Sequence, residues 1–435
     1  MSCRHDDNVS VEAFSLTSED QAILALESAT VVGHTCKVIR IGTEAPGLTA
    51  LRARVAERLG SAPALTRRLA ETPSGPAWVP DDRFDLTAHV VQVPGAPRER
   101  AALRSVVADL FAERLDRSRP LWRIDLVPVQ GGQAALVWRV HHALADGTML
   151  MRYARDLLWD ASPKAAGPAH HHAVSHADDD ARRRGHLVGF LMREFAITRD
   201  GSPFDGLIGT RREVAFASTG LAQLHRAAKD LCGATLNDAV LTSVAGGLRH
   251  WLQEHHGHLG VVRVKVPVSL HHESDDAANR DSFFTVSLPL NEPDPVARLR
   301  ETRAATSVRK VDDDAQTMDT LLRHLGNISP SLERLCLRIE RSPRSFAVNV
   351  SNVPGPRRPV TLLGAPVDAL FSIAEIGERH ALRVAVVSLG DTLSFGICAD
   401  PAIVEHVQTI ADGIETESRA LSEAAPAPRA GGTRT

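Results

Sequence analysis

Two adjacent histidines followed closely by Asp-Gly are the residues of this sequence best suited to catalysis. They open the stretch His141–Gly147, which reads HHALADG. A neutral imidazole with a pKa of about 6.5 can take a proton from an alcohol as that alcohol attacks an activated acyl group. Asp146 is equally able to cap backbone N–H groups or to pair with an arginine from another segment. Gly147 permits a backbone conformation that a Cβ would hinder.

The elements that flank this stretch predict that it lies at the rim of a sheet. The preceding run over 134–140, AALVWRV, is typical of a strand, and the run over 148–159 has apolar residues at helical spacing. Because side chains alternate along a strand, only one of the two histidines can point into a given cleft, while the other faces the core or braces the turn. An isolated His-His pair is usually structural, but this pattern at a strand-to-helix turn favours catalysis.

The composition favours a two-domain enzyme and argues against several other classes. With 435 residues, of which 43% are hydrophobic, the chain can form two cores. A net charge of −3 and only 4% aromatic residues argue against a nucleic-acid partner. The five cysteines are scattered without a CxxC pair, which indicates a reducing compartment rather than a disulfide framework or a zinc site. Because the sequence shows neither an apolar signal core nor an apolar run of bilayer-spanning length, we expect a cytoplasmic protein.

Strand-like and helix-like segments alternate on both sides of a polar, histidine-rich stretch. This arrangement predicts an N-terminal α/β lobe over 12–160 that carries HHALADG, and a C-terminal α/β lobe over 211–420. The stretch between them, 161–210, predicts an exposed crossover linker, and 421–435 predicts a disordered tail.

A basic and apolar segment inside the predicted crossover admits two interpretations. Three arginines at 182–184 lead into an apolar, helix-like run that continues to residue 197. The segment 182–197 could form a core helix of the crossover. It could instead rest on an anionic membrane, at the inner face of the plasma membrane or on a lipid-droplet surface.

Further segments on both sides of HHALADG strengthen the functional interpretation. They are FDLTAHV at 84–90, DRSRPLW at 116–122, LNDAVL at 236–241, NR at 279–280 ahead of LP at 288–289, and VSNVPGP at 350–356. Together with the histidine motif HHxxxDG they resemble, in the same order, the blocks of the bacterial wax ester synthase/acyl-CoA:diacylglycerol acyltransferase family. The motif itself is shared with chloramphenicol acetyltransferase, the carnitine acyltransferases and nonribosomal peptide condensation domains. The resemblance extends from about Leu16 to Val407.

The resemblance implies both a fold and a reaction. The fold would be α/β, with two chloramphenicol-acetyltransferase-like lobes of mixed sheet flanked by helices and an active-site tunnel between them. The reaction would be an O-acyl transfer that moves a long-chain fatty acyl group from acyl-CoA to diacylglycerol, to a long-chain alcohol, or to both. It would give triacylglycerol or wax ester, without a metal, without a cofactor other than the acyl-CoA substrate and without a covalent enzyme intermediate.

The resemblance also implies roles for individual residues. His142 would be the general base, next to His141 and Gly147 of the same catalytic motif, and Asp146 would hold the loop. Substrate-binding or supporting roles are implied for other residues of the matched blocks, namely Pro120, Leu121, Trp122, Asn237, Asp238, Asn352, Pro354 and Gly355.

Two departures from the family pattern keep other interpretations open. Arg123 stands where the family usually has Glu, and the run 148–150, Thr-Met-Leu, replaces a small residue and Gly after the motif. The bulkier side chains could shorten or reroute an acyl pocket. A same-fold enzyme that acylates a polyketide, sugar or amine, with a carrier protein as donor, is therefore an alternative. A non-enzymatic lipid-binding relative is a further alternative, but the intact motif disfavours it.

Overall fold

The computed structural model describes residues 13–160, 202–269, 281–311 and 345–426 of the chain. Within these ranges the chain forms two six-stranded sheets, one three-stranded sheet and nine α-helices. None of these helices is both long enough and apolar enough to cross a membrane. The mixed α/β class predicted from the sequence is therefore confirmed.

Three predicted features lie outside the described residues. They are the basic segment 182–197 together with most of the linker, the pair Asn279-Arg280, and the end of the tail over 427–435. The interpretations given for them from the sequence stay predictions.

The first lobe is built around the strand that ends at the histidines. In chain order its elements are β1 (Phe14–Ser15), α1 (Ser18–Leu24), β2 (His34–Ile41), α2 (Leu48–Arg58), β3 (Arg67–Thr72), β4 (Gly75–Pro80), α3 (Leu86–His89), β5 (Val90–Gln92), α4 (Leu103–Ala112), β6 (Trp122–Val129), β7 (Gln133–His141) and α5 (Gly147–Leu157). Strand β7 lies between β2 and β6, antiparallel to both. Eight of its nine residues are buried, which explains why it reads as a continuous apolar run rather than as an alternation.

The second lobe contains a mixed sheet in the strand order β10-β9-β11-β14-β15-β8. Its part of the chain forms β8 (Glu213–Gly220), α6 (Leu221–Cys232), α7 (Leu236–His255), β9 (Val262–Ser269), β10 (Asp281–Leu288), α8 (Pro295–Val311), β11 (Val348–Val353), β12 (Thr361–Leu362), β13 (Ala365–Ala374), β14 (Leu382–Leu389), β15 (Thr392–Ala399) and α9 (Gln408–Ala424). Helices α7 and α9 cross where Gly247 faces Gly413, and a Cβ on Gly413 would lie 2.8 Å from the Gly247 Cα. The two helices therefore pack with their backbones in near contact.

Two strands from the predicted C-terminal lobe belong to the first sheet. The order of that sheet is β12-β13-β2-β7-β6-β5, and Phe371 of β13 pairs with Val38 of β2. A division of the chain at residue 211 therefore does not separate the two sheets. The physical reason is that β2 would otherwise be an unpaired edge, and the apolar run of β13 supplies its partner.

The predicted ends of the linker and of the second lobe also need correction. Phe204 lies inside the predicted linker 161–210 but is fully buried, with its ring centroid 5.4 Å from that of Trp251. Helix α9 continues to Ala424, so the tail predicted from residue 421 starts too early. Leu421 is fully buried because it lies seven residues after Ile414, on the same apolar face of the helix.

Candidate active site

The loop between β7 and α5 is capped by Asp146. This carboxylate is 4% exposed, and its Oδ1 accepts the Met149 N–H at 2.6 Å. Of the two predicted roles, capping is therefore confirmed. Gly147 is the first residue of α5. Glycine is favoured there because of the space available and not because of the backbone conformation, since an added Cβ would lie 3.1 Å from Cγ2 of Val353.

His141 is held in place by hydrogen bonds at both ring nitrogens. Its Nδ1 accepts the Ala143 N–H at 3.1 Å, so the neutral ring carries its proton on Nε2. That nitrogen donates to Oε1 of Glu27 at 2.7 Å. A side chain with both nitrogens engaged and 3% exposure braces the loop rather than serving as the base.

Glu27, which no motif of the sequence includes, holds His141 in this site. Arg114 lies 3.1 Å and Arg117 2.5 Å from its carboxylate oxygens. Burial opposes ionisation of Glu27, but the hydrogen bonds from His141 and Arg117 outweigh it and lower its pKa to about 2. Glu27 is therefore a permanent anion at neutral pH. Arg117 is the first arginine of DRSRPLW, so one role of that segment is to hold the partner of His141.

His142 has the features of a general base. Its backbone N–H donates to the Gly33 carbonyl at 2.9 Å, which fixes the main chain beneath it. Its Nδ1 is buried and meets no partner among the described side chains, which leaves Nε2 as the nitrogen available to a substrate hydroxyl. Burial and, after it, the charge of Arg383 lower the His142 pKa to about 4. The ring is therefore neutral at physiological pH, as a proton acceptor must be.

The second lobe anchors the segment that supports His142. Glu375, which follows β13, accepts the Val32 N–H at 3.3 Å and pairs with Arg212 at 2.9 Å. All three residues are buried, and the Glu375 carbonyl accepts a hydrogen bond from Arg383 Nη1 at 3.0 Å. The backbone next to Gly33 is thus tied to both lobes.

Lys37 is a further cation close to the histidine motif. It lies on β2, is fully buried, and donates from Nζ to Oγ of Ser372 on β13 at 2.8 Å. Burial lowers its pKa to about 8, although the nearby Cys36 and Asp146 oppose that shift. A Cβ on Gly147 would be 3.9 Å from Nζ, so this charge lies close to the start of α5.

Pro120, Leu121 and Trp122 support the catalytic strand. The Leu121 carbonyl accepts the His141 N–H at 2.9 Å. Trp122 is 1% exposed, and its Nε1 donates to the Leu65 carbonyl at 2.7 Å. His89, from FDLTAHV, stacks on Trp122 with ring centroids 4.6 Å apart, so these two segments form one packed unit. Contact of this unit with substrate stays a prediction.

The structure gives Asp238 a structural role of its own. It forms a capping box with Thr235 at the start of α7, and its Oδ1 accepts a hydrogen bond from Thr306 at 2.6 Å. Neither contact involves the histidine loop. A role of Asn237 and Asp238 in substrate binding therefore stays a prediction.

VSNVPGP contacts the histidine loop through a residue that was not singled out. Val353 lies against Gly147, whereas Asn352 and Pro354 are exposed. The Gly355 N–H donates to Oγ of Ser388 at 3.0 Å, and a Cβ on Gly355 would lie 1.8 Å from the Ser388 carbonyl oxygen. The glycine therefore lets the loop lie directly on β14, which positions Val353 against the motif.

Arg123, the departure beside DRSRPLW, is paired with an acid. Its Nε lies 2.8 Å from Asp125, whose other oxygen is 2.8 Å from the buried Arg139. In the run 148–150, which also departs from the family pattern, Leu150 is fully buried in the core of the first lobe and Met149 packs against that core. Whether these residues change the acyl pocket stays a prediction.

Replacing Glu27 by alanine should reduce kcat by up to about 10²-fold with little change in KM, because His141 loses its acceptor and the loop can shift. Glu27→Gln should recover part of the rate, since the amide oxygen still accepts from Nε2. Steady-state acyl transfer measures both variants. Glu57→Ala, an exposed glutamate on α2, is the matched control and should not change kcat. Equal rates for Glu27→Ala and the wild type would show that the contact has no positioning role.

Replacing Arg383 by glutamine should move the acid limb of the pH–rate profile upward. The base works when neutral, so the rate falls as the pH drops through its pKa of about 4. Without the Arg383 charge that pKa rises towards 6.5, although burial still lowers it. The profile of kcat/KM reports the change, because it follows the free enzyme. Arg379→Gln removes an exposed arginine paired with Asp205 and should leave the limb in place. An unshifted limb in Arg383→Gln would contradict the assignment.

Comparison with known proteins agrees with this geometry. A model of the wax ester synthase/diacylglycerol acyltransferase catalytic domain matches residues 16–200, and a model of the WS/DGAT C-terminal domain matches 277–422. A Mycobacterium tuberculosis protein, provisionally named a diacylglycerol O-acyltransferase, is 30% identical over 465 residues, covering 95% of this chain and 98% of its own. A probable diacylglycerol O-acyltransferase of the same organism is 28% identical over 405 residues, covering 85% and 87%.

Solved structures show the same fold. The wax ester synthase/diacylglycerol acyltransferase of Marinobacter aquaeolei VT8 superposes with a TM-score of 0.69 at 22% identity, covering 94% of this chain and 99% of its own. The first condensation domain of the CDA synthetase has a TM-score of 0.61 at 16% identity, covering 96% and 98%. Both family models, the relatives matched over nearly their full length and the shared two-lobe fold lead to one assignment. This chain is a member of the wax ester synthase/diacylglycerol acyltransferase family.

Proposed function

We propose that this chain moves a long-chain fatty acyl group from acyl-CoA to the hydroxyl of diacylglycerol or of a long-chain alcohol. The observation that carries the proposal is the state of His142, a neutral imidazole that is held by no other described side chain and whose Nδ1 is buried. It lies in a motif contacted by both lobes of a member of an acyltransferase family.

The proposed reaction is a single proton-coupled acyl transfer. Nε2 of His142 takes the proton of the acceptor hydroxyl as its oxygen attacks the thioester carbonyl carbon. The tetrahedral oxyanion then collapses, the C–S bond breaks, and the imidazolium returns its proton to the CoA sulfur. The products are the ester and free CoA, and the enzyme ends in its starting state.

Each of the two cations near the motif has two opposing effects on this reaction. The charges of Arg383 and Lys37 both lower the basicity of His142. The same positive potential favours negative charge on the thioester oxygen as the acceptor attacks. A base of low pKa is thus combined with an environment suited to an oxyanion.

A direct assay tests the proposal. The purified chain is incubated with palmitoyl-CoA and either a diacylglycerol or hexadecanol, and the ester is identified by mass spectrometry. Formation of triacylglycerol or wax ester, with stoichiometric CoA thiol, supports the proposal. Acyl transfer only from acyl-carrier thioesters, or only to a sugar, polyketide or amine, would contradict the proposal. It would favour the alternative of a same-fold enzyme with another donor or acceptor. Lipid binding without CoA release would favour a non-catalytic relative.

Because the proposed acceptors are lipids, we also propose peripheral contact with an anionic membrane or a lipid droplet. The support is the sequence of 182–197, where three arginines precede an apolar run. Flotation with anionic and neutral liposomes tests this contact. Recovery of the protein entirely in the soluble fraction with both kinds of liposome would contradict it.

A further inference from the structure

A cleft between the lobes lies well away from the histidine motif. Its walls include Arg40 on β2, Phe371 on β13, Phe216 on β8 and Gln408 at the start of α9, so both lobes contribute. In the register of β2, residue 34 pairs with His141, and Arg40 lies six residues further along. At about 3.3 Å per residue, the cleft is about 20 Å from the catalytic end of the strand.

The inner wall of this cleft is aromatic. The rings of Phe216 and Phe371 have centroids 4.4 Å apart and are tilted by 33°. The Arg40 guanidinium carbon lies 5.9 Å from the centroid of Phe371, so a cation borders the apolar wall. Such a surface suits a ligand with an apolar part next to a polar end.

The rim carries an unusual excess of positive charge. Arg40, Arg100 and Arg104 all line the cleft, and none of the described residues of its wall is acidic. Within the described part of the chain none of the three forms an ion pair; Arg104 instead donates to the neutral amide oxygen of Gln408. Arg40 is half-buried, and burial, together with the charge of Arg100, lowers its pKa, while Asp368 only partly opposes this effect. Like charges held together in a partly desolvated cleft are stabilised by a bound anion.

We propose that this inter-lobe cleft binds an amphiphilic anion. Its carboxylate or phosphate would lie among Arg40, Arg100 and Arg104, and a short apolar group would cover Phe216 and Phe371. The cleft has a volume of about 240 Å³, which is of the size needed for a head group and a short chain. Because the ligand contacts both lobes of the folded chain, its binding also stabilises that fold.

Binding is measured by calorimetry on the full chain, without turnover. Octanoate and octyl phosphate represent the two sources of the anion, a fatty acid and a phosphorylated lipid. Octanol lacks the charge and inorganic phosphate lacks the apolar group. We expect saturable binding of at least one octyl anion, at least 10-fold tighter than either half-ligand and weaker at high salt.

Variants separate this cleft from the active site. Arg40→Gln and Arg104→Gln should each weaken octyl-anion binding at least 10-fold, while the exposed control Arg83→Gln should not. Arg104 is itself exposed, so its variant tests the site even if Arg40→Gln fails to fold. His142→Ala should bind the anion as the wild type does, whatever its catalytic activity.

Several results would overturn the proposal. Octanol binding as tightly as the octyl anions would indicate an apolar groove only. Binding unchanged in both arginine variants would place the ligand elsewhere. Saturable binding of CoA that Arg104→Gln abolishes, with no binding of either octyl anion, would assign the arginines to a nucleotide instead.

Discussion

Replacing His142 by alanine should lower kcat for acyl transfer by about 10²–10⁴-fold, the usual contribution of a positioned general base. The fold should survive, because the ring makes no hydrogen bond to another described side chain and the backbone bond to Gly33 does not need a side chain. Activity is followed by CoA thiol release and by mass spectrometry of the ester, and folding by thermal denaturation. Added imidazole should restore part of the rate in the vacated space.

Two other histidines serve as comparisons for this result. His225→Ala removes an exposed histidine of α6 and should leave the rate unchanged. His141→Ala removes one of the three partners of the Glu27 carboxylate and should impair both stability and rate. A folded His142→Ala variant with full activity would mean that the base is another group.

Replacing Gly33 by alanine should damage both the fold and the reaction. Gly33 has φ of +74°, and the left-handed region costs a residue with a Cβ about 1–2 kcal/mol. The new methyl group would also lie 2.6 Å from Nε2 of His141 and 3.0 Å from Cγ of Glu27. It would therefore separate the pair that braces the loop and shift the carbonyl beneath His142. We expect a lower midpoint of thermal denaturation and a loss in kcat of about 10²-fold.

The chain offers a matched control for this change. Gly131 has the same φ of +74° but no atom within 4 Å of an added Cβ. Gly131→Ala therefore imposes the backbone strain without the clash, and it should lower stability modestly while leaving kcat intact. If Gly33→Ala and Gly131→Ala behaved alike, the contact with His141 and Glu27 would have no catalytic importance.

The contacts in the folded chain show how segments that are far apart in the sequence support the histidine loop. Arg117 in DRSRPLW holds Glu27, and Glu27 holds His141. His89 in FDLTAHV stacks on Trp122, which is the first residue of β6, the strand paired with β7. Val353 in VSNVPGP packs on Gly147. Each segment thus contacts either the loop or a residue that supports it.

Local sequence was sufficient to predict the loop and its flanking strand and helix, and the resemblance of segments from about Leu16 to Val407 predicted the reaction class. The run AALVWRV and the spacing of apolar residues after Gly147 follow from the geometry of strands and helices, which depends on neighbours along the chain. The capping by Asp146 is likewise a contact over three residues. The type of residue and its spacing are enough for such features.

Tertiary structure alone decided what surrounds the two histidines and how each imidazole is held. Glu27 and His141 are 114 residues apart, and the arginine that most lowers the His142 pKa lies in the other lobe. The pairing of strand β13 with the first sheet, across the predicted lobe boundary, was likewise not predictable from the sequence. Pairing between strands that are distant in sequence leaves no periodic signal in either strand. HHALADG and the matched segments around it therefore indicate the chemistry from the sequence. The protonation state and orientation of its two imidazoles depend on charges and backbone that only folding brings together.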